Sequence, residues 1–372
     1  MIRDLIVCIM VTMVVASSAL AETVNSKLNT TIYGFIQGDV IYSTDDPADI
    51  GRSINNRRTT PTQGDTQGDL NFSAQYTRLG LNINAPTRGD WNVLGNVEID
   101  FANAPTTSNP NLRLRHGYVQ AKNGSFGLLV GQTWMLLAQQ NPNTINYNGY
   151  LGRAGNLWSR YPQVRFSGYL DKFTLEGAVL KMTNDNNTAT AHSLTEEPRY
   201  QARLAYKGDL FGIKNALIAV GGDIGKYGLS TGPTEIAAKS HAVAAEMNLP
   251  INRLTLNGEI FWAKNESLLL GSCGVNPTSK DSDITSLGGY ININYKISDK
   301  LWMNVGYGSE ENKAEKIAVN SARQNKVIFG NIGYKLTSDL SLIGEYTWNE
   351  TNFKGFDKLS NNRYQFAVKY DF

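Results

Sequence analysis

The chain ends in a segment in which every second residue is large and apolar. Tyr364, Phe366, Val368, Tyr370 and Phe372 alternate with Arg363, Gln365, Ala367, Lys369 and Asp371. Because successive side chains of a β-strand point to opposite faces, this segment has one wholly apolar face. An aromatic face of this kind is typical of a strand that contacts lipid and is unusual at the end of a soluble sandwich. The segment is therefore predicted to be a transmembrane β-strand.

The same period of two recurs throughout the chain. Apolar faces are predicted for Trp91, Val93, Val97, Ile99 and Phe101, for Tyr200, Leu204 and Tyr206, for Leu254, Leu256, Ile260 and Trp262, and for Leu340, Leu342, Tyr346 and Trp348. After the first 21 residues no run of eighteen apolar residues occurs, which excludes an ordinary membrane-spanning helix. A closed barrel remains, because only closure satisfies every strand edge in lipid.

The connections alternate in length. Short turns are predicted at 86–90, 123–125, 171–172, 208–212, 250–252, 298–300 and 337–339. Longer polar loops are predicted at 44–70, 103–110, 134–162, 183–198, 227–238, 265–283, 311–323 and 351–361. Together they join about sixteen strands in an all-β, antiparallel, up-and-down transmembrane barrel, with both chain ends on the periplasmic side. A barrel of that size encloses an aqueous channel.

The N-terminal residues predict export. Arg3 precedes an apolar run from Leu5 to Ala16, and Ala19-Leu20-Ala21 has the small residues of a cleavage site. This pattern is typical of a secretory (Sec) signal peptide. We expect residues 1–21 to be removed and residues 22–372 to form the barrel domain. Cys8 would leave with the signal, so Cys273 would remain without a partner for an intramolecular disulfide.

Several segments are similar to one known family. They are Leu112-Arg113-Leu114-Arg115-His116-Gly117-Tyr118, Leu129-Val130-Gly131-Gln132-Thr133-Trp134, Pro162-Gln163-Val164-Arg165, Ile32-Tyr33-Gly34-Phe35-Ile36 and Arg78-Leu79-Gly80-Leu81. With these residues the chain resembles the DcaP-like trimeric porins of Gram-negative bacteria. The resemblance implies a homotrimer in the outer membrane and passive uptake of small anions such as dicarboxylates. We also expect the barrel-assembly machinery to recognise the C-terminal strand with its row of Tyr364, Phe366, Val368, Tyr370 and Phe372.

The alternation also predicts which charges face the lumen. The predicted pore-lining residues are Arg78, Glu98, Asp100, Arg113, Arg115, Arg165, Arg199 and Arg203, whereas inward charges of the second half include Glu246, Glu259 and Glu345. A basic wall opposite an acidic one would favour anions, because charge on the lining selects ions and arginine matches carboxylates in geometry. The alternative is that these arginines pair with Glu98, Asp100 and Glu176 across neighbouring strands and stiffen the wall.

The loop at 134–162 is too long for a simple connection. It contains Trp134, Arg153, Trp158 and Arg160 among Asn, Gln and Gly residues. By the family resemblance, this loop follows the fifth strand, folds inward and narrows the pore. The alternative is an ordinary long loop on the extracellular surface.

Other classes of function find little support in the sequence. The formal net charge of +2 does not favour a nucleic-acid partner. His116, His192 and His241 lie on different segments without metal-ligand spacing, and each is expected in an aromatic girdle or a loop. We therefore expect no metal, no cofactor and no catalysis. A general, weakly selective porin and a barrel that acts as an adhesin or receptor through its loops remain as alternatives.

Overall fold

The computed structural model describes residues 29–44, 68–85, 89–102, 111–147, 150–181, 197–231 and 234–372, with the side chains of 229–236 left out. The predicted signal peptide lies outside these residues. The strand segments are β1 (Asn29–Ser43), β2 (Asp69–Ser73), β3 (Arg78–Asn84), β4 (Asn92–Asp100), β5 (Arg113–Lys122), β6 (Phe126–Trp134), β7 (Arg160–Leu170), β8 (Phe173–Leu180), β9 (Arg199–Leu210), β10 (Ile213–Thr231), β11 (Thr234–Ile251), β12 (Leu254–Lys264), β13 (Thr285–Lys296), β14 (Leu301–Asn312), β15 (Ala322–Lys335), β16 (Leu340–Phe353) and β17 (Leu359–Asp371).

The strands form one closed antiparallel sheet. β1 closes it, because its residues pair with β17 on one side and with β2 and β3 on the other. β2 and β3 follow one another along the same edge of β1, separated by residues 74–77, and are two halves of one crossing. The seventeen segments therefore make sixteen crossings, which confirms the predicted sixteen-strand barrel.

The predicted alternation is present in the wall. On β17 the side chains of Tyr364, Phe366 and Val368 are exposed on the outer face, whereas Arg363 and Gln365 are buried inside. Tyr370 and Phe372 continue the exposed aromatic row to the last residue. Such rings stabilise a barrel at the membrane interface, where one end of the side chain meets water.

One predicted loop is wrong. The segment 227–238, expected to be a loop, is mostly strand, because β10 and β11 stay paired from Tyr227 opposite Ala238 to Thr231 opposite Thr234. Backbone hydrogen bonds across this hairpin compensate for the Gly, Ser and Thr residues that indicated a loop. The glycine-rich stretch at 213–226, between the predicted turn at 208–212 and this segment, is a continuous strand, as expected.

A β-bulge changes the pattern of β5. Glu98 of β4 pairs with His116, and Ile99 pairs with Leu114, so Arg115 is an extra residue. An extra residue shifts the alternation by one, and two consecutive side chains then point to the same face. Arg115 and His116 both lie inside the barrel.

Among the described residues, three short 3-10 helices occur, at Ser267–Leu269, Ser272–Gly274 and Ala314–Lys316. In the described ranges no helix is long and apolar enough to cross a membrane.

Candidate functional site

A network of arginines and carboxylates lies on the inner face of β3, β4 and β5. Arg113 donates through Nε and Nη2 to Asp100 at 2.8 and 2.7 Å. Arg115 donates to Glu98 Oε1 at 2.6 Å and to Asp100 Oδ2 at 2.8 Å. Arg78 Nε lies 3.5 Å from Glu98 Oε1. The bulge makes this arrangement possible, because it places Arg115 between the two carboxylates.

A second network continues along β7 to β11. Arg203 Nε donates to Glu246 Oε1 at 2.8 Å, and its Nη1 lies 3.3 Å from Glu176. Arg165 Nη1 lies 3.8 Å from the same Glu176 carboxylate. Arg199 is buried against Asp223 and also donates to Glu266 Oε1 at 2.6 Å. Buried charges of opposite sign thus lie in contact along this part of the wall.

All eight predicted pore-lining side chains thus lie on the inner face, and the described geometry has them in ion pairs. These ion pairs agree with the alternative given above, in which the arginines pair with carboxylates on neighbouring strands. The side chains do not form one basic wall and one acidic wall, because each group of arginines is in contact with carboxylates.

The acidic residues of the far wall bind the backbone of the loop between β6 and β7. Glu246 Oε2 accepts the N–H groups of Gln139 and Gln140, both at 2.8 Å. Glu259 Oε1 accepts the N–H of Leu157 at 3.1 Å. Side chains of β9, β13 and β15 add further contacts: Gln201 to Leu136 and Leu137, Asn292 to Asn143, and Asn325 to Arg153. Residues 135–147 and 150–159 therefore run inside the barrel and across to its opposite wall.

Small residues let this loop approach the wall closely. A Cβ atom at Gly308 of β14 would lie 2.4 Å from the carbonyl oxygen of Ala154 and 2.6 Å from Leu151 Cδ2. A Cβ at Gly155 would lie 2.1 Å from Gly289 O, and Gly155 has a φ of +113°. Non-glycine residues rarely adopt that conformation, so both the space and the backbone require glycine there.

Apolar side chains of the loop fill the remaining space. Leu151 and Ala154 pack against Tyr290, Val327 and Phe329 of the wall. A larger cluster joins Met135, Leu137, Ala138 and Leu157 of the loop to Tyr161, Leu180, Ala242, Ala244, Phe261, Ala263 and Leu269. The loop is thus held by burial of apolar surface as well as by hydrogen bonds.

Three of the four predicted loop residues meet at the base of the loop. The guanidinium of Arg160 lies 4.6 Å from the ring centre of Trp134 and 5.6 Å from that of Trp158, and the two rings are 5.7 Å apart. Arg160 also interacts electrostatically with Arg113 and Arg115. Over the described ranges no carboxylate lies within ion-pair distance of Arg160; its guanidinium packs on the two aromatic faces and also interacts electrostatically with Asp100.

The fourth residue, Arg153, lies elsewhere and is held by a second loop at 265–283. Its backbone N–H donates to Leu270 O at 2.5 Å, and Trp158 N–H donates to Leu269 O at 3.2 Å. Glu266 connects this second loop to Arg199 on the wall. Sequence reasoning missed this contact, because polar composition alone does not distinguish an inward from an outward loop.

The expectation for His116 is wrong. Its ring lies inside the barrel, with Nδ1 2.9 Å from Thr133 Oγ1 and Nε2 3.7 Å from Glu98. The bulge at Arg115 moves it inward. His241 lies on β11 with its ring 5.2 Å from Trp262, and His192 is outside the described residues. No group of three metal-ligating side chains occurs in the parts of the chain that the structure describes.

Comparison with known proteins agrees with this architecture. The family model described as Gram-negative porin matches residues 8–354. The fold is similar to that of the outer membrane channel DcaP of Acinetobacter baumannii, with a TM-score of 0.75 and 21% identity over 93% of this chain and 97% of that one.

Two further solved structures share the fold. An anion-selective porin from Comamonas acidovorans has a TM-score of 0.62 and 12% identity, covering 93% of this chain and 100% of that one. The trimer form of OmpT of Vibrio cholerae has a TM-score of 0.59 and 13% identity, covering 93% and 99%. No curated protein matches the sequence. The chain belongs to the Gram-negative porin family and forms a channel in the outer membrane.

Proposed function

We propose that the channel carries small polar solutes by passive diffusion, with a mild preference for anions such as dicarboxylates, and with no catalytic step or cofactor. The observation that carries the preference is the charge around Arg160. Four guanidinium groups, those of Arg78, Arg113, Arg115 and Arg160, surround the two carboxylates of Glu98 and Asp100. An excess of positive charge in a confined lumen attracts anions.

The loop between β6 and β7, described at 135–147 and 150–159, acts in this proposal as the constriction. Its backbone crosses the interior, and the Trp134, Trp158 and Arg160 group lies at its base. A narrow passage makes each nearby charge more effective, because less water separates the solute from the wall. Arg160, the first residue of β7 at the base of this loop, is then the side chain that acts most directly on permeating ions.

We further propose export through a signal peptide at residues 1–21, recognition of the C-terminal strand by the barrel-assembly machinery, and assembly into a homotrimer. The exposed row from Tyr364 to Phe372 supports the second proposal. For the third, OmpT of Vibrio cholerae shares the fold and is described in a trimer form. The porin from Comamonas acidovorans, described as anion-selective, supports the charge preference in the same way.

A weakly selective general channel is the second candidate. The pairing of Arg165 and Arg203 with Glu176 and Glu246 favours it, because paired charges leave little net field.

The reversal potential in planar bilayers under a salt gradient distinguishes the two candidates. The wild type is expected to prefer anions, and Arg160→Gln is expected to lose much of that preference while still forming channels. Arg323→Gln is the matched control, since Arg323 is half exposed and pairs with Glu311 away from this group. Absence of preference in the wild type would favour the general channel, and absence of conductance from a folded barrel would overturn both.

A further inference from the structure

Three lysines lie close together on β10, β11 and β12, toward the end of the barrel that carries the long loops. Lys226 of β10 pairs directly with Lys239 of β11. Lys264 of β12 pairs with His241, two residues further along β11, and is therefore a diagonal neighbour of Lys239. Cβ atoms directly opposite each other in an antiparallel pair are about 5 Å apart, and diagonal neighbours are within about 8 Å. The three side chains thus start from one small area of the wall.

These lysines point away from the lumen. Each of them adjoins an inward residue of its own strand that is at most 1% exposed, and these inward residues are Tyr227, Ala238 and Ala263. Because successive side chains of a strand point to opposite faces, the lysines are on the outer face.

The lysines mark the edge of the apolar outer band. Toward the middle of each strand the outward side chains are apolar and exposed, beginning with Ile224 on β10, Val243 on β11 and Trp262 on β12. The ring of His241 lies 5.2 Å from that of Trp262. Aromatic rings and lysines with apolar stems are typical of the membrane interface. Since the long loops of bacterial barrels are extracellular, the lysines lie at the headgroup level of the outer leaflet.

Positive charge is in excess in this area. Lys226 Nζ lies 2.5 Å from Glu197, which is an exposed side chain. Asp283 is shared, because Lys264 Nζ and Lys316 Nζ lie 2.7 and 2.9 Å from its two oxygens. Lys239 is exposed and has no ion pair within the described part of the chain. Four lysines thus share two carboxylates.

The direct pairing of Lys226 with Lys239 is unfavourable in isolation. Like charges directly opposite each other destabilise a β-sheet. An anion held between the two ammonium groups replaces this repulsion by attraction, and the attraction is stronger at the edge of the lipid than in bulk water. The pair is therefore suited to an anionic group that approaches from the membrane.

The wall continues beyond the lysines. β10 and β11 have 19 and 18 residues, against 11 in β12. Their backbones stay paired for five further residue pairs, from Tyr227 opposite Ala238 to Thr231 opposite Thr234. A lipid with a large headgroup can lie along this extension, whereas a small headgroup ends near the lysines.

We propose that Lys226, Lys239 and Lys264 bind the phosphate groups of a phosphorylated glycolipid in the outer leaflet of the outer membrane. Each ammonium group offers three N–H donors, and hydrogen bonds from an ammonium to a phosphate oxygen are charge-assisted. The acyl chains of the lipid then lie on Ile224, Val243 and Trp262, and its sugars lie beside the β10–β11 extension. The site is on the outer surface, so it does not depend on what passes through the channel.

The test is native mass spectrometry of the folded barrel in a mild detergent, with diphosphorylated lipid A as the probe and EDTA to remove divalent cations. The wild type is expected to retain lipid A. Binding should be at least about tenfold weaker in Lys226→Gln/Lys239→Gln, because each basic residue adds to the attraction for an anionic headgroup. Lys172→Gln/Lys300→Gln is the matched control, since it removes two exposed lysines at the opposite end of the barrel. Equal binding by the wild type and Lys226→Gln/Lys239→Gln would overturn the proposal.

Two further probes distinguish a lipid headgroup from free phosphate. Lipid A without its phosphates should bind the wild type at least about tenfold more weakly than the diphosphorylated form. Inorganic phosphate at the same concentration should leave the bound lipid A in place. Displacement by inorganic phosphate, or equal binding of the dephosphorylated lipid, would contradict a headgroup site.

A charge reversal separates binding from any effect on folding. Lys239→Glu places a carboxylate opposite Lys226, so this variant should unfold in lipid-free detergent at a temperature no lower than the wild type. Lipid A should raise the unfolding temperature of the wild type and leave that of Lys239→Glu unchanged. An equal rise in both proteins would show that these lysines do not hold the phosphates.

Discussion

The carboxylate of Glu345 on β16 accepts the backbone N–H of Ile145 at 2.9 Å, although the two residues are 200 positions apart in the chain. The same carboxylate accepts the hydroxyl of Thr144 at 2.7 Å and the side-chain amide of Asn331 at 2.9 Å. One acidic side chain therefore connects the tip of the inward loop to two strands of the opposite wall. The inward glutamates of the second half, which the sequence indicated only as acidic lining, hold the loop.

Replacing Glu345 by Ala should release the tip of the loop. The change removes an acceptor bonded to Thr144 and Ile145 and leaves a buried N–H without a partner, which costs about 1.5–3 kcal/mol. We expect a larger and noisier single-channel conductance in planar bilayers. Glu311→Ala, at an exposed position, should leave the conductance unchanged. A wild-type current from Glu345→Ala would mean that the loop is held without this carboxylate.

Gly308→Val should push the loop away from the wall. The added Cβ would lie 2.4 Å from Ala154 O, and overpacking of this kind costs about 1–3 kcal/mol. Valine suits a strand, so the barrel itself should form, and the conductance is the measurement that should change. Gly344→Val is the matched control, because a Cβ at Gly344 meets no atom within 4 Å. Equal conductance of the two variants would argue against close contact between loop and wall.

Arg115→Met should destabilise the barrel more than any exposed arginine change. Arg115 donates to both Glu98 and Asp100, and breaking a buried ion pair by removing one partner costs about 3–5 kcal/mol. Urea unfolding in lipid vesicles measures this loss. Arg323→Met should cost less than about 1 kcal/mol, because its pair with Glu311 is half exposed.

A double variant tests the cause. After Arg115→Met, Glu98 keeps only its longer contact with Arg78, at 3.5 Å. Adding Glu98→Gln removes the carboxylate charge that lost its nearest partner, so part of the lost stability should return. If the two changes destabilise additively, the pairing of Arg115 with Glu98 is not the source of the effect.

Cys273 should be inert in the folded protein. Burial in the loop at 265–283 raises the pKa of its thiol well above the usual value, and Sγ–H donates to Glu310 O at 3.2 Å. Because the thiolate is the reactive form, a maleimide at pH 7.5 should label Cys273 only after unfolding in urea. Val319→Cys in a Cys273→Ser background is the reactive control, since Val319 is 61% exposed. Rapid labelling of Cys273 in the folded barrel would show that this loop opens.

The fold could be predicted from the sequence more fully than the site. The alternation placed Arg78, Arg113 and Arg203 on the inner face, because a strand offers only two directions. It misplaced His116, because a bulge adds one residue without a signal in composition. It gave no sign that 265–283 would meet the inward loop, since such a contact forms only when the barrel is closed.

The sequence by itself determined that this chain forms a barrel of sixteen crossings in lipid. The period of two gives each strand one apolar and one polar face, and in a membrane the polar face must turn toward the lumen. The tertiary structure decided which side chains meet inside the barrel. Arg203 meets Glu246 across 43 residues, and Leu157 meets Glu259 across 102. Closure of the sheet brings these partners together, and no local pattern in the chain specifies contacts over such separations.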